Sequence, residues 1–167
     1  MRLLPLIGTC CAVLTPSLAY AVDYHPWSGG LISEGYKEKI EKDGSWRIVA
    51  EYSGVDAIDA LDVALYRAAD LARAEGKAYV QVLGGSASSR MRTATAIIFA
   101  KASDSPAAPS ECHRSNPCYT ADVATVLDIL GGENGRAPGN ARVTSYDQYG
   151  RPVKSSGFGT GAVAWTS

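Results

Sequence analysis

The side chains most often used in catalysis are few in this sequence, and they lie far apart along it. The two histidines, His25 and His113, lie in stretches rich in turn-forming residues and outside any clear helix or strand pattern. A serine triad or a cysteine–histidine pair needs a histidine that rigid elements hold next to the nucleophile. We therefore predict no catalytic residues and no cofactor, and we expect a binding role ahead of an enzymatic one.

Paired carboxylates are the other common acid–base device. Asp59, Asp62 and Asp70 share one face of the helix predicted for this part of the chain, and Asp59 and Asp62 are three residues apart. Acidic residues in the first turn of a helix also offset the partial positive charge of its N-terminus. We expect this structural role on a solvated face, with acid–base chemistry assisted by Arg67 as the alternative.

Two cysteines, Cys112 and Cys118, lie in the stretch ECHRSNPCYT. In an oxidising compartment they most simply form a disulfide across a short loop, whose Asn116 and Pro117 are typical turn residues. The alternatives are a redox pair or a metal site that includes His113. Because the spacing is not C-x-x-C and a four-ligand set is missing, we predict a structural disulfide and no metal site.

Arginines are the remaining candidates, as ligands for an anion. Arg90 and Arg92 lie in SASSRMR, where serine hydroxyls and guanidinium groups together can bind an anionic group. The alternative for this stretch is an ordinary solvated hairpin connection. Arg67 is the third candidate, although a structural role is favoured, in which its stem covers apolar neighbours and its head pairs with Asp70 or Glu51.

One long amphipathic helix is the main element that would position these residues. Asp56 is suited to be its N-cap, and Gly76 supplies a left-handed C-terminal stop. Apolar residues recur between them every three or four positions, at Ile58, Leu61, Leu65, Ala68 and Ala72. The segment 63–82, which contains the end of this helix and the strand after it, is therefore expected to be scaffold.

Strands are predicted on both sides of the helix. GYKEKIEK and SWRIVAEYS meet at an Asp43-Gly44 turn, and the second run alternates apolar and polar residues. AYVQVLGG and RTATAIIFAKA read as two further strands, joined by GGSASSRM as a loop. In TADVATVLDILGG the apolar spacing favours a short helix, while the β-branched residues would also suit a strand. The turn signal at 149–152 suits a hairpin in the C-terminal stretch.

These elements predict an α+β fold. It consists of a mainly antiparallel sheet of about four strands, one long helix packed on the sheet and a second short helix. The predicted organisation is a signal peptide at 1–21, an N-terminal arm at 22–33, a single domain at 34–131 with a disulfide loop at 112–118, and a glycine-rich extension at 132–167.

The N-terminal residues predict secretion. Arg2, the apolar run 3–14 and the small residues Ala19 and Ala21 follow the order of a secretory signal peptide. Prolines and polar residues interrupt the apolar run, so we expect no transmembrane span in the mature chain. The protein is expected to be periplasmic or secreted. Lipid anchoring through Cys10 is the alternative, although the residue before this cysteine is not of the small type that lipid attachment requires.

Two stretches carry a family resemblance, EGYKEKIEKDGSWRIVAEYSG and ALYRAADLARAEGKAYVQV. Their pattern runs Gly-Tyr, then Leu-x-Arg-Ala-Ala-(Glu/Asp)-Leu, then Gly-x-x-Tyr, and it matches at Gly35, Tyr36, Leu65, Arg67, Ala68, Ala69, Asp70, Leu71, Gly76 and Tyr79. It resembles a group of short proteobacterial envelope proteins, many described as lipoproteins, of unknown function. DVATVLDILG looks like the closing segment of that group, which leans this segment toward helix. The resemblance implies an envelope location and brings no known reaction.

Composition and motifs together predict a non-catalytic periplasmic or cell-envelope protein that acts through contacts with an envelope protein partner. The alternative is a small-ligand or anion-binding module that uses residues 86–92. The chain has 16 basic and 17 acidic residues and a net charge of −1. Because nucleic acids and anionic membranes usually bind a strongly basic surface, neither is expected to be the main partner.

Overall fold

The computed structural model describes residues 24–30, 33–113 and 118–131, and the backbone of two short strands, 142–146 and 152–155. Five strands form one antiparallel sheet in the order β1-β2-β4-β3-β5: β1 Gly35–Ile40, β2 Trp46–Ser53, β3 Tyr79–Arg90, β4 Thr93–Ser103 and β5 Tyr119–Asp122. The helices are α1, Ala57–Ala74, and α2, Val123–Gly131. The predicted α+β class is confirmed, with five strands where about four were expected.

The fifth strand comes from the segment whose type the sequence left open. Residues Tyr119–Asp122 pair with β3, and the chain then turns directly into α2. The Asp122 carboxylate accepts hydrogen bonds from the amide and the hydroxyl of Thr125, both at 2.7 Å, in the manner of an N-cap. Both interpretations of this segment are thus partly correct, because Tyr119–Asp122 pair in the sheet and Val123–Gly131 are helical, although most of the β-branched residues lie in the helix.

The ends of α1 follow the capping signals in the sequence. The backbone amide of Asp56 donates to the Asp59 carboxylate at 3.2 Å, which is the return contact of a capping box. Gly76 has a φ of +70°, and the amide of Lys77 donates to the carbonyl of Ala72 at 2.9 Å. Such a left-handed residue followed by a backward hydrogen bond ends a helix in a Schellman motif.

The sheet has a core face, covered by α1, and an outer face. Trp46, Ile48, Ala50 and Tyr52 of β2 are buried on the core face, and their partners on β4 are Ala100, Ile98, Ala96 and Ala94. The helix contributes further alanines to this layer, Ala60, Ala64, Ala68 and Ala72, all fully buried. Small side chains on both surfaces let the helix approach the sheet closely, and the larger residues of β2 fill the space that remains.

The prediction of a loop between β3 and β4 is wrong. β3 continues through Arg90 in register with β4, after a bulge between Val82 and Gly84, and only Met91 and Arg92 form the turn. These two residues have φ values of 49° and 69°. A two-residue turn of this hand matches the twist of the paired strands. Residues 84–90 can therefore pair with β4 as part of β3, although they are rich in serine and glycine.

The two C-terminal strands, β6 Arg142–Tyr146 and β7 Pro152–Ser155, form a separate antiparallel pair, as expected for a hairpin around 149–152. The predicted signal peptide at 1–21, Cys10 within it, and most of the extension at 132–167 lie outside the described residues. Within the part of the chain that is described, no helix is both long and apolar enough to span a membrane.

Candidate binding face

Arg67 is held by carboxylates of the protein itself. Its Nη2 and Nε atoms donate to the two oxygens of Glu38 at 2.7 and 3.3 Å, and Nη1 donates to Asp70 at 2.9 Å. The side chain is 18% exposed. Of the two partners considered from the sequence, Asp70 is correct and Glu51 is not, because Glu51 lies on the outer face while Glu38 lies on the core face.

The environment of Arg67 also anchors the N-terminal arm. The guanidinium lies 4.8 Å from the centre of the Tyr36 ring, on which the Tyr24 ring is stacked at 4.5 Å. Burial alone would lower the pKa of Arg67, but the hydrogen bonds with Glu38 and Tyr24 raise it above its ordinary value. Since each of its three nitrogens already donates to a group of the protein, the geometry assigns Arg67 a structural role where the arm, β1 and α1 meet.

Arg90 and Arg92 lie at the far tip of the β3–β4 hairpin. Arg90 pairs with Thr93 on the outer face, and Arg92 is in the turn, where its carbonyl accepts from the amide of Gly54 at 2.7 Å. Both arginines are exposed, as is Met91 between them. Because Arg67 contacts the core-face residues Tyr36 and Glu38, the structure does not bring the three predicted anion ligands into one site.

The predicted disulfide joins Cys112 to Cys118. Asn116 and Pro117, which suggested a turn, lie outside the described residues. His113 does not join the cysteines in a metal site, since its ring is stacked on Phe99 with 5.0 Å between ring centres, and its Nε2 lies 3.4 Å from an Asp43 oxygen. Among the described residues, no group of three or more metal-binding side chains is present.

Gly84 gives the disulfide segment its place on the outer face. The backbone at Gly84 has a φ of +141°, and a Cβ atom there would overlap sterically with the His113 carbonyl oxygen. The amide of His113 donates to the carbonyl of Leu83, next to the bulge. Only glycine allows the two backbones to approach this closely, so the bulge places the imidazole over Phe99.

A second contact holds the preceding part of this segment against the sheet. The Ala107 carbonyl accepts hydrogen bonds from the side chains of Gln81, at 3.2 Å, and Thr120, at 2.6 Å. Gln81 and Thr120 are neighbours in register on β3 and β5. The segment between β4 and β5 therefore crosses the outer face and is held there at two places, Ala107 and His113.

An open cleft of about 690 Å³ lies beside this crossing, at the β1–β2 hairpin, and we call it the hairpin cleft. It is lined by Lys39, Ile40, Glu41, Lys42, Asp43, Arg47, Phe99 and His113. Phe99 supplies apolar surface, Ile40 borders the cleft at the end of β1, and Arg47 has no ion pair among the described residues. Such a combination suits a ligand that carries negative charge next to an apolar group.

The acidic residues that line the cleft are partly neutralised. Lys39 lies 3.7 Å from Glu41, and both Oδ1 hydrogen bonds of Asp43, at 2.7 and 3.0 Å, come from the hydroxyl and the amide of Ser45. These two donors, and then His113, lower the pKa of Asp43. The Asp43-Gly44 turn thus uses its carboxylate to fix the hairpin, while Lys39 and Lys42 are exposed and Arg47 is partly exposed.

Asp59 and Asp62 of α1 do not lie on the solvated face that we expected from the sequence, whereas Asp70 is partly exposed. Asp62 is fully buried and neither of its oxygens has a hydrogen-bond partner among the residues that the structure describes, while Asp59 is almost fully buried. Burial first, and then the charge of Asp59, raise the pKa of Asp62 to about 8. Tyr119 of β5 lies close enough that burial and the Asp62 charge together raise its pKa too. The sequence of α1 alone could not show this burial, because β5 follows the helix by many residues.

Sequence reasoning missed Arg47 and Phe99 as binding-face residues. Arg47 alternated onto the polar side of β2, and Phe99 looked like an ordinary strand residue. The signal that could have identified the face is Gly84-Gly85 inside a strand pattern, since glycine there often marks the close approach of another backbone. No family model, no curated protein and no solved structure matches this chain.

Proposed function

We propose that this protein is a non-catalytic cell-envelope protein that acts through contacts with another protein, and that the hairpin cleft is its contact surface. The observation that carries the proposal is the cleft itself, where Arg47 and the apolar ring of Phe99 lie together on an open outer face. Protein interfaces favour arginine and aromatic residues at their centres, because these groups combine apolar area with directed hydrogen bonds.

The compartment is part of the proposal. The Cys112–Cys118 disulfide supports an oxidising environment such as the periplasm. The signal-peptide pattern at 1–21 and the resemblance to short proteobacterial envelope proteins point in the same direction. They remain predictions from the sequence.

The position of the aspartates supports contact rather than catalysis. Asp59 and Asp62 belong to α1, which covers the core face, whereas the hairpin cleft opens on the outer face. The sheet therefore separates the two carboxylates from the cleft. A substrate bound in the cleft would have to reach them through the buried layer of β2 and β4.

Site-specific photocrosslinking in native cells tests the proposal. A benzophenone amino acid would replace Ile40, which lines the cleft, or Met91, an exposed control on the β3–β4 tip. Ile40 lies in register with Trp46, and Trp46 with Ala100 near the end of β4, whereas Met91 precedes the start of β4 at Thr93. The two probes therefore lie near opposite ends of the sheet. We expect one discrete protein adduct from Ile40 and none from Met91.

The control probe also tests the alternative function. Arg90 and Arg92 flank Met91, so a partner or ligand-dependent adduct formed only there would place the binding surface at residues 86–92. That outcome, or the lack of any adduct from Ile40 in cells that contain the folded protein, would contradict a contact surface at the hairpin cleft.

A further inference from the structure

The backbone of β1 has one side that faces away from β2, the only strand of the sheet that pairs with it among the described residues. The amide of Tyr36 donates to the carbonyl of His25 at 3.0 Å, and its carbonyl accepts from the amide of Trp27 at 2.7 Å. The peptide groups of Tyr36 therefore point away from β2, toward the N-terminal arm. At the other end of the strand, the amide of Glu41 donates to the carbonyl of Ser45 at 2.7 Å, so Glu41 points toward the β2 side.

These two ends determine the direction of every residue between them. In an antiparallel pair, successive residues point alternately toward the partner strand and away from it. Glu38 and Ile40 share the direction of Tyr36, whereas Lys37 and Lys39 share that of Glu41. The amide and carbonyl groups of Glu38 and Ile40 thus lie on the edge of the sheet, on the side of β1 away from β2. Among the described residues, the arm pairs with this edge only at Tyr36.

The side chains beside this edge carry positive charge. Lys37 and Lys39 lie on the outer face of β1. In the described part of the chain Lys39 pairs only with Glu41 of its own hairpin, at 3.7 Å, and 73% of its side chain is exposed. Ile40, which is 68% exposed, adds apolar surface at the end of the edge. Glu38, the acidic residue between the two lysines, is already engaged by Arg67.

This distribution of charge selects among possible occupants. Lysines along an open edge discourage pairing between copies of the same strand, because their charges repel each other. The same lysines attract a strand that carries carboxylates at alternate positions. Hydrogen bonds from the backbone groups of Glu38 and Ile40 would supply affinity that does not depend on the side chains of the bound strand, as in other cases of strand addition to a sheet edge.

Resting on the proposed function, we infer that the edge of β1 from Glu38 to Ile40 binds an extended acidic segment of the partner as a sixth strand of the sheet. Carboxylates of this segment lie beside Lys37 and Lys39 on the outer face, and an apolar residue at an alternate position contacts Ile40. The segment continues the line of the N-terminal arm, which already pairs with the first outward residue of the edge.

The experiment uses the folded mature chain and a fluorescein-labelled peptide, Glu-Val-Glu-Val-Glu-Val, with both ends blocked. We expect saturable binding by fluorescence anisotropy, and weaker binding of the Lys-Val counterpart by about tenfold or more, because charge is reversed along the whole edge. A peptide methylated on alternate amides should also lose binding, since it cannot complete the strand hydrogen bonds.

Substitutions in the protein separate the edge from a general charge effect. Ile40→Pro removes an outward amide that makes no bond to β2, and we expect it to weaken binding about tenfold, while Ile40→Ala keeps the amide and changes affinity by about threefold or less. Lys39→Glu should weaken binding about tenfold, and Arg90→Glu, the same charge change at the far tip, should leave it unchanged. Circular dichroism melts establish that each variant is folded.

Unchanged binding by folded Ile40→Pro, or equal binding of the Lys-Val peptide, would overturn the edge-strand inference. If either result is obtained while the Ile40 probe still forms a protein adduct in cells, the hairpin cleft remains the proposed contact surface and only the strand-addition mode is rejected. Loss of the Ile40 adduct as well would reject the proposed function together with the inference.

Discussion

Asp62 follows Asp59 by one turn of α1, and both carboxylates are buried on the same side of the helix. The pKa of Asp62 is raised to about 8 by burial and by the Asp59 charge, so this carboxyl group binds its proton more tightly in the folded chain than in the unfolded chain. Tyr119 is the neighbouring titratable group from β5. The stability of the protein is therefore expected to depend on pH through this site.

The contribution of Asp62 to stability should be lost as pH rises. An unfolded aspartate has a pKa of about 3.9, so between about pH 4 and pH 8 the unfolded chain releases a proton that the folded chain keeps. The free energy of unfolding should fall through this range, by at most about 6 kcal/mol, and then level off. Urea unfolding at a series of pH values measures it directly.

Asp62→Asn keeps the shape of the side chain and removes its titration. We expect the variant to lose most of the stability change between pH 5 and pH 8.5 and to be more stable than the parent chain at the higher pH. Asp128→Asn, a change at an exposed position of α2, is the matched control and should keep the parent profile. Parallel pH profiles for the parent and Asp62→Asn would contradict the buried, proton-linked state of Asp62.

Arg67 is predicted to stabilise the fold. Arg67→Met leaves Glu38 and Asp70 without their shared cation and should lower the free energy of unfolding by about 2 kcal/mol. Arg67→Lys should recover little of this loss, because an ammonium group cannot reproduce the two-pronged contact with Glu38. Arg73→Met removes a more exposed pair with Asp70 and should change stability by about 0.5 kcal/mol or less. Equal effects of the two methionine variants would be inconsistent with the central position of Arg67.

Gly84→Ala should displace the disulfide segment from the outer face. The new Cβ atom would collide with the His113 carbonyl, and the left-handed backbone adds strain, so we expect a loss of more than about 2 kcal/mol. Chemical shifts of the Phe99 and His113 rings should move with it. Gly29→Ala, at a position with open space around it, should stay within about 0.5 kcal/mol. A neutral Gly84→Ala variant would mean that the two backbones are not in close contact.

Removal of the disulfide should lower the free energy of unfolding by less than Gly84→Ala does. Closing a loop this short stabilises the folded state by about 2 kcal/mol in the chain-entropy description. The double variant Cys112→Ser with Cys118→Ser should therefore remain folded, with reduced stability and a more mobile His113. Thermal unfolding and a free-thiol assay on the parent chain test this, and full reactivity of both thiols in the untreated parent would show that the bond is not formed.

The sequence determined the local features of this protein. The capping residues around α1, the Asp43-Gly44 turn, the alternation along β2 and the pairing of Cys112 with Cys118 could all be predicted, because each depends on residues close together in the chain. The α+β class followed from the order of these elements. The exception was the stretch before Arg90, where local composition indicated a loop and pairing with β4 produced a strand.

Tertiary structure alone decided which side chains are buried and which are available for binding. The register of β1 against β2 placed Glu38, and not Glu51, within reach of Arg67. The later segments of the chain buried Asp62, and the bulge at Gly84 brought His113 over Phe99 to form one wall of the hairpin cleft. Each of these contacts joins residues that are far apart in sequence. Their geometry is set by strand register and by the packing of whole elements, which a local pattern of residue types does not specify.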